Sequence, residues 1–445
     1  MHDASTVRPA EPDATAARDA AAEARRVAVA SAVGTTIEWY DFFIYGTAAA
    51  VVFGPQFFPQ VSELAGRLAA FGTFAIGFIA RPLGGLVMGH YGDRLGRKSM
   101  LVWALMLMGL STFAIGLLPT YASIGVWAPA LLILLRTVQG FALGGEWAGA
   151  VLMSVEHAPQ HRRGLFGSFV ALGLPSGIIL SNLVFLIASV AVSPAAFAAW
   201  AWRVPFLASA LLVVVGLYVR LGIAESPIFA DVQRRQAERR MPIVDVMHGH
   251  ARTVLLAAGS YMSISAFGYV TIVFFVSYAT RQLGLPLTTT LALMVSAAIV
   301  FAISLVICAT WSDRIGRRRV MHVGLAALGL WSLVFFPLAD TRSPPLIALS
   351  LCGMLFIQGL YVGPQPAVFS ELFPTTVRYS GASLSLTLGT ILGGALAPMI
   401  ATSLFGLTGN SWPITAYLAV MSIISWLCVR ALDETSRRNL TREHD

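Results

Sequence analysis

Two carboxylates, Glu38 and Asp41, stand three residues apart in TTIEWYDFFIYG, a run from Thr35 to Gly46 that is otherwise apolar and aromatic. A carboxylate in a dry setting exchanges its proton according to the charges beside it, so it can carry a proton through a cycle in which those charges move. Further along, Arg136 stands in an apolar run, and Arg81 and Glu146 lie among Gly84, Gly85, Gly140, Gly144 and Gly145. A guanidinium can hold a carboxylate through two hydrogen bonds. The set therefore offers proton carriers and an anion clamp. The plain alternative is a static ion-pair network that locks helices, and for Arg81 and Glu146 the glycines, which let helices approach closely, speak for it equally.

Composition says what kind of helices must hold these groups. Of 445 residues 57% are hydrophobic and 12% charged, with a mean hydropathy of +0.74. A soluble domain carries about a quarter charged residues. Apolar runs of about 20 residues, enough to cross a bilayer core as helices, alternate here with charged clusters. Twelve spans are expected, near residues 27–53, 68–90, 99–118, 128–155, 164–190 and 203–222, then 251–280, 288–311, 320–338, 345–370, 380–406 and 412–432. The fold class is all-α integral membrane, with one six-helix bundle over 27–224 and another over 251–432. Residues 225–250 form the long polar interior stretch and read as a cytoplasmic linker. Residues 1–26, rich in Ala, Asp, Glu and Pro, read as a disordered tail, and 433–445 as a second tail. Arg25 and Arg26 mimic the basic region of a signal peptide, but the apolar part that follows is too long and is broken by charge.

Cations set the orientation. On a model with the amino terminus inside, Arg67, Arg203, Arg281 and Arg342 fall outside, and Arg81 and Arg136 fall within spans. The rest of the 30 Lys and Arg lie on the cytoplasmic side, which places both termini in the cytoplasm. The net charge of +8 is this bias and gives no reason to expect nucleic acid. Cys308, Cys352 and Cys428 all lie in apolar spans, a pattern of neither disulfides nor metal ligands. Glu156, His157 and His161 have ligand-like spacing, yet Pro159 interrupts them, and no metal is expected.

The halves repeat each other. Between spans two and three stands GHYGDRLGRK, Gly89 to Lys98; between spans eight and nine stands ATWSDRIGRR, Ala309 to Arg318. After span four comes EHAPQHRR, Glu156 to Arg163, and after span ten ELFPTTVR, Glu371 to Arg378, both of the form E-x-x-P-x-x-x-R. Two independent motifs at nearly one offset indicate duplication of a six-helix unit.

These motifs, with IEWYDFFIYG, ARPLGG (Ala80 to Gly85) and R-x-x-Q-G-x-x-x-G-G-E-W (Arg136 to Trp147), make the chain resemble the major facilitator superfamily, and within it the metabolite:H+ symporters that include shikimate, α-ketoglutarate and proline/betaine permeases. The resemblance covers the chain after the tail and departs at Ala309, where the loop motif usually begins with Gly. It implies the twelve-helix facilitator fold in a bacterial-type inner membrane, and an alternating-access cycle coupled to protons and needing no other cofactor. It also implies a small anionic or zwitterionic metabolite as cargo, with the first and fourth helices of each half lining the cavity. A monomer is expected.

Within that frame the residues divide by depth. At about 1.5 Å per residue, Glu38 and Asp41 lie roughly 16 and 21 Å from the cytoplasmic end of span one, with Arg136 level with Asp41. Asp41, supported by Glu38 and paired with Arg136, is the expected proton carrier, and Tyr45, one turn on, is expected to hydrogen-bond it. Arg81 and Glu146 form a second layer. Arg136, Tyr45, Tyr261, Tyr269, Gln358, Tyr361 and Gln365 are the candidate cavity groups. Asp93, Arg94, Arg97, Lys98, Glu156 and Arg163, with their repeats Asp313, Arg314, Arg317, Arg318, Glu371 and Arg378, are read as a conformational latch of anions against cations and helix N-termini. Topogenic charge is the alternative, although the acids serve no purpose there. An integral-membrane enzyme or sensor is disfavoured because neither a P-loop nor a zinc helix motif is present. GLPSG, Gly173 to Gly177, matches the drug exporters' pattern only in part.

Overall fold

The computed structural model describes residues 14–95, 97–144, 150–151, 154–155, 162–221, 246, 249–374 and 377–436; of 14–28, 86, 88–95, 97–101 and 219–221 it describes the backbone alone. Among the described residues there are helices and no strands. The long ones are α1 (Ala14–Ala48), α2 (Glu63–Leu95), α3 (Arg97–Leu117), α4 (Trp127–Ala142), α5 (Arg163–Ala191) and α6 (Val204–Leu221). In the second half they are α7 (Ala251–Arg281), α8 (Leu287–Ile315), α9 (Arg317–Asp340), α10 (Pro344–Glu371), α11 (Arg378–Thr408) and α12 (Trp412–Ala431). Among the described residues, nine are long and apolar enough to cross a membrane by length and composition. α1 begins at Ala14, inside the stretch expected to be a disordered tail. ATAARDAAAEARR is dominated by alanine, the strongest helix former. The linker expected at 225–250 falls almost wholly outside the described residues.

The duplication read in the motifs recurs in the packing. In the first half α1 lies against α5 and α6, α2 against α4, and α3 against α4 and α6. In the second α7 lies against α11 and α12, α8 against α10, and α9 against α10 and α12. The bundles meet through α5 on α8 and α2 on α11, which are equivalent pairs in the repeat, and through α1 on α7. Even the irregularities repeat: π-turns follow α1 at Ala49–Phe53 and interrupt α7 at Val270–Phe274. Such turns leave the regular ladder and often mark functional regions. α8 passes to α9 at Gly316, whose φ of 100° suits glycine and turns the chain within the D-R-I-G-R motif.

Candidate functional site

α2 and α4 cross along a seam of glycines, which brings the half-buried Arg81 and the buried Arg136 together. A Cβ on Gly140 would lie 2.0 Å from the Gly77 carbonyl oxygen, and one on Gly84 would lie 1.8 Å from that of Phe141. Gly77 also makes room for the cation itself, since a Cβ there would stand 2.5 Å from Arg136 Nε. Arg136 is only 1% exposed. Its guanidinium carbon sits over the rings of Tyr45, Phe42 and Phe74 at 4.3, 4.9 and 5.1 Å from their centroids. Nη1 donates to Gln139 Oε1 at 3.1 Å, while Nε and Nη2 find no acceptor among the described residues.

Arg81 uses the same aromatic cluster, 5.3 Å from the Phe42 centroid and 4.8 Å from that of Phe78, and its Nε has no acceptor among the described residues. Tyr269 of α7 closes the cluster from the other bundle, 5.5 Å from Phe42 and 5.2 Å from Phe78. Ring faces stabilise a guanidinium without neutralising it. The buried N–H groups stay unsatisfied until an acceptor arrives. Such a site suits an anion.

Asp41 does not pair with Arg136, contrary to the sequence expectation. It is 1% exposed, and the hydroxyl it lies beside is Thr112 of α3. That hydroxyl donates to Met108 O at 2.9 Å and accepts from Gln139 Nε2 at 2.6 Å. Neither Asp41 oxygen therefore accepts a hydrogen bond among the described residues. The expected Tyr45–Asp41 bond is also absent. The phenol reaches past a one-turn spacing to α2 and donates to Thr73 Oγ1 at 2.6 Å. The short Asp41 side chain stays against α3 while the aromatic faces take the arginine. Glu38 is buried one turn earlier in α1, close enough for its charge to act on Tyr269.

The second bundle presents mostly neutral groups. Gln358 and Gln365 of α10 are buried with Nε2 unpartnered. Tyr361 shares a 2.7 Å hydrogen bond with Ser260, so its hydroxyl is already engaged. Tyr261 lies 6.4 Å from the Tyr361 ring and within the field of Arg81. Gln139, Thr112 and the rings of Phe42, Phe74 and Phe78 were not singled out from the sequence. For Gln139 a signal existed: it follows Arg136 by three residues, which places both on one helix face.

At the motif end of the molecule, Asp313 of α8 accepts from the amides of Gly164 and Leu165 at 3.0 and 3.2 Å, capping the start of α5 across the bundle boundary. Arg317 donates from Nη1 to Asp313 at 3.1 Å, and from Nε and Nη2 to Glu371 at 2.7 and 2.9 Å. Arg163 Nη1 approaches Glu371 to 4.0 Å. Arg378 donates to Phe373 O within its own half, Arg318 donates to Arg430 O, and Arg314 is exposed. The latch side chains of Asp93, Arg94, Arg97 and Lys98, and residues Glu146 and Glu156, lie outside what the structure describes. At the far end Arg281 of α7 donates to Glu63 of α2, and a Cβ on Gly46 would meet Val273 at 2.9 Å. These contacts join α7 to α2 and to α1 across the bundles.

Residues 31–398 match the family model described as Major Facilitator Superfamily. The chain belongs to that superfamily. This facilitator is 41% identical to the inner membrane metabolite transport protein YhjE of Escherichia coli, over 93% of its own length and 95% of the relative's. It is 38% identical to the shikimate transporter of Escherichia coli, with 93% and 95% covered. It is 31% identical to a putative proline/betaine transporter of Staphylococcus haemolyticus, with 92% and 87% covered. In shape it is similar to a partially occluded, inward-open structure of the xylose transporter XylE from E. coli, with a TM-score of 0.75 and 17% identity over 94% of this chain and all of that one. The facilitator is therefore a multi-pass membrane transport protein.

Proposed function

We propose that this facilitator imports a small carboxylate-bearing metabolite with protons, by alternating access, with both termini in the cytoplasm. The observation that carries the reading is Arg136. It is a fully buried guanidinium with two nitrogens unpartnered among the described residues, held on three aromatic faces of the first bundle. A cargo carboxylate is the acceptor that fits it, and the buried amides of Gln358 and Gln365 in the second bundle are polar groups suited to orienting the rest of the molecule. Asp41 and Glu38 supply the ionisable groups of a proton path, which buried intramembrane carboxylates commonly serve. The shikimate transporter among the relatives supports a carboxylated cargo, and the proline/betaine relatives support a zwitterionic one of the same carboxylate chemistry. The motif-end network of Asp313, Arg317, Glu371 and Arg163 serves as the cytoplasmic latch.

Uptake into proteoliposomes under an imposed inward proton gradient tests the proposal. The screen covers shikimate, dicarboxylates, oxoacids and betaine. Accumulation that collapses with the gradient supports symport. Uptake indifferent to both the pH gradient and the membrane potential rules it out.

A further inference from the structure

We infer that Gln139 and Thr112 form a hydrogen-bonded link through which the state of Arg136 sets the protonation of Asp41. The inference rests on the reading that Arg136 meets the cargo carboxylate and Asp41 carries the proton. The two groups do not touch, yet an unbroken chain of contacts joins them. Arg136 Nη1 donates to Gln139 Oε1 at 3.1 Å, Gln139 Nε2 donates to Thr112 Oγ1 at 2.6 Å, and Thr112 stands beside the Asp41 carboxyl. All four residues are 1% exposed or less.

The hydroxyl's inventory makes the link a switch. A threonine oxygen has one proton and two lone pairs. Here the proton goes to Met108 O and one lone pair takes the Gln139 N–H. What remains toward Asp41 is a single acceptor, which suits the neutral carboxyl as donor. For the carboxylate, Thr112 must turn its O–H from Met108 to Asp41. Gln139 holds the hydroxyl in its present setting only while Arg136 engages the other end of the amide. When Arg136 turns its N–H groups to an anion, Gln139 is released, and Thr112 is free to turn its O–H toward Asp41. That donor favours the carboxylate, so the link acts at the proton-release step, once cargo is held.

Other charges around Asp41 leave room for this control. α1 itself contributes Glu38 and Tyr40, the latter within the field of Asp41, and Tyr45, whose hydroxyl is spent on Thr73. α2 and α4 contribute Arg81 and Arg136, and α7 contributes Tyr261 and Tyr269. The apolar runs of α3 (Ser99–Leu117), α5 (Gly164–Ala191) and α6 (Val204–Val219) carry no charged residue. Thr112 is the polar neighbour from α3.

Infrared difference titration of the full chain in liposomes tests the link without any cargo. The protonated carboxyl band lost in Asp41→Asn reports Asp41. Thr112→Val and Gln139→Leu are each expected to move its midpoint by about half a pH unit or more, the scale of one hydrogen bond. Thr112→Ser is expected to restore the wild-type midpoint, and the double variant to shift no further than either single one, because the groups act in series. Thr112→Ala replaces Thr112→Val if the latter fails to fold. Wild-type midpoints in the folded single variants, or additive shifts in the double variant, overturn the link alone. A wild-type protein with no titrating Asp41 band between about pH 4 and 10 overturns the proton-carrier reading beneath it.

Discussion

The amide nitrogen of Gly164 lies 3.0 Å from Asp313 Oδ1, so the first turn of α5 in one bundle is capped by a carboxylate from the other. Leu165 donates to the second oxygen, and Arg317 anchors the same group at 3.1 Å. Asp313→Asn keeps the shape but removes the charge and one of two acceptor oxygens. Hydrogen bonds to charged groups are worth about 1.5–3 kcal/mol, and 1.4 kcal/mol is about tenfold in a population. The variant is therefore expected to open the motif end at least about tenfold more often. Spin labels at the exposed positions Arg162 and Arg314 check this through their distance distribution. An unchanged distribution would remove the latch role.

The glycine seam makes a second, purely steric prediction. Gly140→Ala puts a methyl 2.0 Å from a backbone oxygen of α2, and no rotamer change relieves that contact. Overpacking of this kind costs about 1–3 kcal/mol. Gly268→Ala is the control, because the nearest atom to its Cβ would be Gln358 Oε1 at 3.8 Å. Thermal unfolding in detergent is expected to separate the two variants clearly. Equal midpoints would show that α2 and α4 are free to move apart.

Much of this molecule is legible in its chain, because a bilayer leaves few solutions. Backbone groups in hydrocarbon must bond within their own segment, so apolar runs become helices, and the spacing of Asp93 and Asp313 exposes the duplication. The motif-end network was readable for the same reason: Asp313, Arg317 and Glu371 are charges where charges are scarce. The central pairing was not readable. Depth counted along a helix put Asp41 level with Arg136, but depth says nothing about azimuth, and Asp41 lies beside α3. Nor does a count of charges reveal that aromatic faces hold Arg136 in place of a carboxylate. Glu434 was missed because it acts far from its place in sequence, on backbone rather than on another charge.

That residue carries the third prediction. Glu434, beyond α12, accepts the backbone N–H groups of Arg317 and Arg318 at 3.1 Å each, as well as those of Thr435 and Ser436. Burial alone pushes its carboxyl pKa up, but the backbone donors outweigh this and hold it below the ordinary Glu value. A depressed folded value means that the cap is in place above the ordinary Glu range and lost only as the pH falls through the lower folded value. Its pH window therefore lies below the ordinary Glu range, and the cap is constant near neutrality. Glu434→Gln is expected to cost roughly 0.5–1 kcal/mol, as for other caps, and to speed amide exchange at Arg317 and Arg318. Exchange unaltered at those two amides would show that α9 starts without help from residue 434.

The last prediction concerns the two carboxylates of α1. Asp41 is expected to be the coupling group, with Glu38 secondary, because Asp41 alone stands at the end of the chain of contacts from Arg136. Its two oxygens have no hydrogen-bond donor among the described residues, so Asp41→Asn removes a charge without breaking a bond. Packing around Phe42 and Phe43 should survive, and gradient-driven accumulation should fall to background. Exchange of labelled for unlabelled cargo needs no net proton transfer and should fall far less. Glu38 is buried where its charge acts on Tyr269, on the cargo side of α1. Glu38→Gln is therefore expected to lower accumulation and exchange together, by weakening cargo orientation. Measuring both activities in both variants separates the roles. Wild-type accumulation by Asp41→Asn at every pH would make that carboxylate structural, and a selective loss of accumulation in Glu38→Gln would transfer the coupling role to Glu38.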